Sequence, residues 1–201
     1  MHKYFYLVAV VLIGLMLHGC DSPRLEPLGE GTILAFGDSL TAGVGVSKEN
    51  SYPSVLGELT GLHVINSGIS GETTSEGLKR LPDEIERTNP DMIILIEGGN
   101  DILRNKNPTE IKANLKKMIE LAQGQGLPVI FVGIPAKSLF SSSAPIYKEL
   151  AEQFQLVFDG TLIAGLQRSP SLKSDSVHFN KEGYRKMAEA IYELLVDNGA
   201  I

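Results

Sequence analysis

The chain has 201 residues, 43% of them hydrophobic, and a formal net charge of −6. This length suits one domain with a single sizeable core. The acidic balance argues against a nucleic-acid partner, because nucleic-acid phosphates attract clustered lysine and arginine. Cys20 is the only cysteine of the sequence, which excludes an intramolecular disulfide and a cysteine-rich zinc site.

The N-terminal region is typical of a targeting segment. Lys3 precedes an apolar stretch over residues 4–17, which is shorter than the roughly 18–20 residues of a stable bilayer span, so cleavage is favoured. The sequence Leu17-His18-Gly19-Cys20 resembles the bacterial lipoprotein signal, and that resemblance implies a lipid on Cys20. The alternative is an ordinary secretory signal with an incidental cysteine.

These features divide the chain into three predicted parts. A signal peptide is expected over residues 1–19, a lipidated tether rich in proline and glycine over 20–31, and a folded domain over 32–201. The protein would then face the periplasm in the cell envelope, bound to a membrane through its anchor. Asp21 resembles the retention signal of some inner-membrane lipoproteins. The sequence gives no sign of an obligate protein partner.

Short apolar runs rich in branched residues alternate with helical patterns along the rest of the chain. The predicted strands are 32–36, 63–66, 92–97, 129–132 and 156–158. This alternation with short loops implies right-handed crossovers. We therefore predict a three-layer α/β/α sandwich around a flavodoxin-like parallel sheet of about five strands.

The predicted helices are 53–60, 76–88, 108–123, 145–154 and 180–197. Pro82 is expected to shorten the second of these helices. Asn107 and Asn180 are the expected N-caps of the third and the last, with Pro108 at a first helical position. In a sheet of this kind, ligands bind beyond the carboxyl ends of the strands, where the strand order reverses.

Two distant motifs contain the parts of a serine nucleophile and its base. Gly37-Asp38-Ser39-Leu40 follows the first predicted strand, and Asp175-Ser176-Val177-His178 lies far along the chain. A serine hydroxyl needs an imidazole within hydrogen-bond reach and an acceptor that orients the imidazole. We therefore predict Ser39 as nucleophile, His178 as base and Asp175 as the orienting acid. Taken alone, the first motif also fits a helix N-cap and the second a charged turn.

Two further segments offer hydrogen-bond donors to a developing oxyanion. Gly71 follows the second predicted strand and offers a backbone N–H with no Cβ to block an approaching oxygen, while Asn100 follows the third strand and offers a side-chain amide. With the Ser39 N–H they would form a three-donor oxyanion hole, in which each donor typically contributes about 10²–10³-fold in rate. The alternative for Asn100 is turn chemistry.

Four blocks in order, starting at Gly37, Asn66, Gly98 and Asp175, resemble the blocks of the GDSL/SGNH hydrolases. Within that superfamily the chain looks most like the bacterial periplasmic branch with acyl-CoA thioesterase, lysophospholipase and arylesterase activity. The resemblance implies the same catalytic and oxyanion residues. The serine mechanism itself requires no cofactor, and the shortage of histidine outside the N-terminal segment, where only His63 and His178 remain, argues against a metal site. Phe179 departs from the proline usual in that branch, which leaves the rigidity of the histidine loop open.

The predicted function is a lipid-anchored serine esterase that acts on a small-molecule or lipid ester, such as an aryl ester or a lysophospholipid. The loop 136–144, with Leu139 and Phe140, is expected to line an acyl pocket. One alternative is an O-deacetylase of envelope polysaccharide. Another is a membrane-tethered binding module without turnover.

Overall fold

The computed structural model describes residues 24–136 and 142–201. The predicted signal peptide, Cys20, Leu139 and Phe140 therefore lie outside the described residues. Within them the chain forms a five-stranded parallel sheet in the order β2-β1-β3-β4-β5. The strands are β1 (Thr32–Gly37), β2 (His63–Gly68), β3 (Met92–Ile96), β4 (Val129–Val132) and β5 (Val157–Asp159).

Helices follow the strands and cover both faces of the sheet. They are α1 (Ser39–Ala42), α2 (Tyr52–Thr60), α3 (Thr74–Thr88), α4 (Gly99–Leu103), α5 (Pro108–Gly124), α6 (Pro145–Phe154), α7 (Leu162–Gln167) and α8 (Lys181–Asp197). The helices α2 and α7 pack against α8, whereas α3 and α6 pack against α5. The predicted α/β/α sandwich with its flavodoxin-like strand order is confirmed.

The centre of the sheet is buried on both faces. Residues 33–36 of β1 and all of β3 are buried, which explains why both strands are continuous apolar runs rather than alternating ones. Burial of one such side chain contributes roughly 1.5–3 kcal/mol. Ile33 pairs with Val64 of β2 and with Met92 of β3. The loops that follow β1 and β3 therefore start from two buried, hydrogen-bonded strands at the centre of the sheet.

The two asparagines predicted as N-caps both cap their helices, whereas the prediction for Pro82 differs from the structure. The Asn107 side chain accepts a hydrogen bond from the Thr109 N–H at 2.9 Å, and Asn180 accepts one from the Gly183 N–H at 3.0 Å. By contrast, α3 begins at Thr74 and runs through Pro82. The predicted shortening was wrong, because a proline removes one helical hydrogen bond and packing against α5 and β1 keeps the helix intact.

The segment before β1 is attached to the domain. The Leu25 N–H donates to the Asn198 carbonyl at 2.9 Å, and the Leu28 N–H donates to the Ala200 carbonyl at 2.8 Å. Both leucines pack against the core. The predicted tether is thus bound to the end of α8 from Leu25 onward. Within residues 24–136 and 142–201, every helix is too short or too polar to cross a bilayer.

Candidate active site

The strand order reverses between β1 and β3, and the loops after these two strands meet there. Ser39 is the first residue of α1, directly after β1, and is 7% exposed. The Asp38 side chain caps α1 by accepting from the Leu40 N–H at 3.1 Å. A Cβ on Gly37 would lie 2.0 Å from the Ile96 carbonyl oxygen, so glycine is required where the end of β1 lies against the end of β3.

The predicted nucleophile and base are in contact although they lie far apart in the sequence. His178 Nε2 lies 3.0 Å from Ser39 Oγ, and His178 Nδ1 lies 2.7 Å from Asp175 Oδ2. The other carboxylate oxygen, Asp175 Oδ1, accepts from the backbone N–H groups of His178 at 2.8 Å and Val177 at 2.7 Å. These hydrogen bonds lower the pKa of Asp175 to about 2. The largest effect comes from the backbone N–H of His178, and the next from its ring. The acid therefore stays ionised beside the imidazole.

The loop that carries His178 is anchored in the core. Phe179 is fully buried and packs edge-on against Tyr184, with 5.7 Å between ring centroids. The Tyr184 hydroxyl donates to the Val44 carbonyl at 2.9 Å, which joins α8 to the segment after the nucleophile. A Cβ on Gly45 would lie 2.3 Å from Ser174 Oγ. The ring at residue 179 thus fixes this loop where the family resemblance implied a proline.

The two predicted oxyanion donors line the same cavity as Ser39 and His178. Asn100 Nδ2 donates to the Glu72 carbonyl at 2.9 Å, and its second contact, to Asp38 Oδ2, is long at 3.4 Å. The Gly71 N–H donates to no described residue, and the Ser39 N–H, at the start of a helix, has no intrahelical acceptor. One amide hydrogen and two backbone hydrogens are thus available at the cavity.

A salt-bridge network holds the loop that carries Gly71. The Arg80 guanidinium donates to both carboxylate oxygens of Glu72, at 2.9 and 2.6 Å, and to Ser67 Oγ at 2.6 Å. It also lies 4.0 Å above the Phe36 ring. A planar fork of donors suits this two-oxygen contact. Arg80 was not predicted, because a lone arginine within a helical pattern carries no motif signal.

Two buried carboxyl groups lie beneath the nucleophile loop. Asp38 is 2% exposed, and burial raises its pKa to about 6. Glu97 is fully buried, and burial, together with the nearby Asp38 charge, raises its pKa well above the ordinary value. One Glu97 oxygen accepts from the Gly98 N–H at 3.0 Å, and the other has no partner among the described residues.

The cavity has a volume of about 500 Å³. Its apolar lining includes Ile102 and Leu103 after β3 and Ile134, Pro135 and Ala136 after β4. The remaining predicted pocket residues, Leu139 and Phe140, lie outside the described residues. His63 is exposed on β2, away from the cavity lining.

The sequence and the structure resemble those of known esterases. An arylesterase of Vibrio mimicus is 33% identical over 196 residues, which cover 92% of this chain and 97% of the relative. A thioesterase 1/protease 1/lysophospholipase L1 of Escherichia coli (strain K12) is 26% identical, covering 79% of this chain and 80% of the relative. The crystal structure of AlinE4, an SGNH-hydrolase family esterase, superimposes with a TM-score of 0.65 at 30% identity, covering 89% of this chain and 98% of that one.

A model of the GDSL-like Lipase/Acylhydrolase family matches residues 35–186. This range begins within β1 and ends within α8, so it contains Ser39, Gly71, Asn100, Asp175 and His178. The chain belongs to the GDSL-like lipase/acylhydrolase family.

Proposed function

We propose that this protein is a serine esterase that hydrolyses acyl esters through an acyl-enzyme. The observation that carries the proposal is the continuous hydrogen-bond chain from Asp175 through His178 to Ser39 at the wall of the cavity. The names of the relatives, an arylesterase and a thioesterase/lysophospholipase, support an ester or thioester as the substrate.

Acylation begins when His178 Nε2 takes the Ser39 proton as Oγ attacks the carbonyl carbon. Asp175 accepts from Nδ1–H, keeps the imidazole in the required tautomer and stabilises the imidazolium. The negative charge that forms on the carbonyl oxygen is stabilised by the Asn100 amide and by the N–H groups of Gly71 and Ser39. Collapse of this intermediate breaks the C–O bond of an ester or the C–S bond of a thioester.

His178 then gives its proton to the departing alcohol or thiol. In the second half of the reaction a water molecule loses a proton to His178 and attacks the acyl carbon. His178 then returns this proton to Ser39 Oγ as the bond between Oγ and the acyl carbon breaks, which regenerates Ser39 and releases the carboxylic acid. Ser39 and His178 account for every proton transfer of this chain, and the other groups orient the imidazole or stabilise charge, so the reaction requires no cofactor.

The apolar lining of the cavity favours the proposal that the substrate carries an acyl chain longer than acetyl. Each methylene of the acyl chain that leaves water and packs against the apolar residues after β3 and β4 makes the free energy of binding more favourable, by about 0.8 kcal/mol when it is fully buried. An acetyl group has no methylene to bury, so a polysaccharide O-deacetylase would draw little binding free energy from this apolar lining. Aryl esters and lysophospholipids, which present an apolar group beside the ester, are therefore the proposed substrates.

The experiment is a p-nitrophenyl ester series from acetate to dodecanoate, measured on the wild type and on Ser39→Ala. We expect kcat/KM to rise from acetate to medium chains and hydrolysis to fall to the background rate in the variant. Hydrolysis by Ser39→Ala at the wild-type rate would remove Ser39 as nucleophile. A steep preference for acetate would favour the deacetylase.

The proposed location is the cell envelope, facing the periplasm, with a lipid on Cys20. Because residue 25 is bound to the end of α8, only Cys20–Arg24 would separate the lipid from the domain, and five extended residues span at most about 17 Å. α8 begins just after His178, beside Ser39, and its end is bound by the segment that leads into the start of β1, so the end of α8 lies at the amino edge of the sheet, opposite Ser39. The site would then face away from the anchoring membrane and receive esters from the aqueous phase. Cys20→Ser should release the protein from membranes, and continued attachment would contradict the anchor.

A further inference from the structure

One side of the cavity is polar, and it lies beside the catalytic histidine. Gln167 and Arg168, at the end of α7, and Ser176, next to the histidine loop, all line the cavity. Gln167 Nε2 lies 3.5 Å from the Val177 carbonyl oxygen, so the end of α7 adjoins the loop that carries His178. The apolar lining, by contrast, comes largely from the loops after β3 and β4.

Arg168 is the one lysine or arginine among the described residues that line this cavity. It is exposed, and it forms no ion pair with a carboxylate in the part of the chain that the structure describes. The arginines 80, 87 and 185 each pair with a glutamate. An unpaired guanidinium at a cavity of an acidic chain, whose net charge is −6, is free to bind an anion.

The chemistry of the proposed function decides which part of the substrate Arg168 meets. His178 must deliver its proton to the leaving-group oxygen, so the alcohol part of the ester lies beside the histidine loop. The end of α7 adjoins that loop, whereas the acyl chain fits the apolar lining. Arg168 is therefore on the leaving-group side of the scissile bond.

We propose that Arg168 is a specificity-determining residue that selects esters whose alcohol part carries an anionic group, phosphate foremost. This inference rests on the proposed function and deepens it. The guanidinium presents paired N–H donors to two oxygens of a phosphate. Asp175, the nearest acid of the polar side in sequence, is engaged by His178 and Val177 and does not compete for the guanidinium.

The test compares two soluble esters that differ only in a phosphate, 1-butyrylglycerol 3-phosphate and 1-butyrylglycerol. The wild type should hydrolyse the phosphate ester with the higher kcat/KM, and Arg168→Gln should lower the ratio of the two values about tenfold, the usual effect of one charge-assisted hydrogen bond. Arg168→Lys should keep part of the preference. The control is Arg185→Gln, which removes the same charge from the outer face of α8 and should leave the ratio unchanged.

A ratio near one in the wild type, or an equal ratio in Arg168→Gln, would overturn the inference. Added salt offers a test without substitution, since screening should reduce the wild-type ratio. The same pair with lauroyl chains distinguishes the source of the phosphate: a preference confined to the aggregated lauroyl esters would assign the effect to a lipid surface and contradict a site in the cavity. Hydrolysis of 1-butyrylglycerol by the wild type tests the proposed function separately, and failure to hydrolyse either ester would remove both proposals.

Discussion

Asp175 binds His178 in two ways, through the ring and through the backbone. Its Oδ2 lies 2.7 Å from Nδ1, while its Oδ1 accepts from the His178 N–H at 2.8 Å. One carboxylate thus sets both the tautomer of the imidazole and the shape of the loop that carries it.

These two contacts predict different results for two substitutions of Asp175. Asp175→Asn keeps an oxygen for the backbone N–H groups but presents an amide to Nδ1, so the wrong tautomer should lower kcat by about 10⁴-fold with little change in stability. Asp175→Ala loses both contacts and should also lower the denaturation midpoint. Steady-state kinetics and urea denaturation on the two variants measure these effects. Full activity in Asp175→Asn would remove Asp175 from the mechanism.

Asn100→Ala tests the oxyanion hole. The amide would act on charge that develops in the transition state, so its removal should lower kcat by about 10²–10³-fold and change KM little. Asn198→Ala is the matched control, because the Asn198 amide bonds the Leu194 carbonyl at 2.8 Å at the opposite end of α8 from the site. A kcat within twofold of wild type for Asn100→Ala would contradict the assignment.

The buried Asp38 predicts a specific dependence of stability on pH. Its pKa is about 6 in the folded protein, raised by burial from an ordinary value of 3.8. Between these values the folded chain holds a proton that the unfolded chain has released, so this group lowers the free energy of unfolding as pH rises. At 1.36 kcal/mol for each pH unit, the free energy of unfolding falls by about 3 kcal/mol between these two pKa values.

Urea denaturation of the wild type and Asp38→Asn from pH 4 to pH 7 measures this contribution. The difference in unfolding free energy, wild type minus variant, should fall by about that amount as pH rises, because the variant has no carboxyl group at residue 38. A difference that stays constant across the window would show that Asp38 is ionised throughout.

The close approach of the β2 loop to α1 predicts the effect of one added methyl group. A Cβ on Gly68 would lie 2.0 Å from the Ala42 nitrogen, so Gly68→Ala should destabilise the fold by about 3 kcal/mol, the upper end of the usual cost of overpacking. Gly124→Ala adds the same group at the end of α5, where no atom beyond its chain neighbours and the backbone of α5 lies within 4 Å, and should stabilise the fold by about 0.4–1 kcal/mol. Equal denaturation midpoints for the two variants would refute this account of the loop.

The sheet and the groups that meet at its carboxyl edge could be predicted because each leaves a local signal. The apolar run before Gly37 and the glycines after β3 mark strand ends, and in a parallel sheet strand ends share one edge. His178 does not follow a strand, and it could be paired with Ser39 because a serine nucleophile needs an imidazole base beside an acid such as Asp175. Their separation of 3.0 Å could be measured only in the structure.

The remaining features depend on contacts that no local pattern carries. The helices α1, α4 and α7 span 4, 5 and 6 residues, too few to show a helical period. Arg80 pairs with Glu72, which lies in the loop before its helix rather than one turn away, and Tyr184 bonds Val44, 140 residues earlier in the chain. The segment at Leu25 has the composition of a linker, and its attachment depends on carbonyl groups at the other end of the chain.

The most direct test of the central claim is covalent labelling of the protein with a fluorophosphonate, followed by intact-mass and peptide mass spectrometry. The account predicts one adduct per wild-type chain, located on Ser39, and no adduct on Ser39→Ala. Labelling of the variant to the same extent, or an unlabelled wild type that still hydrolyses p-nitrophenyl butyrate, would contradict it.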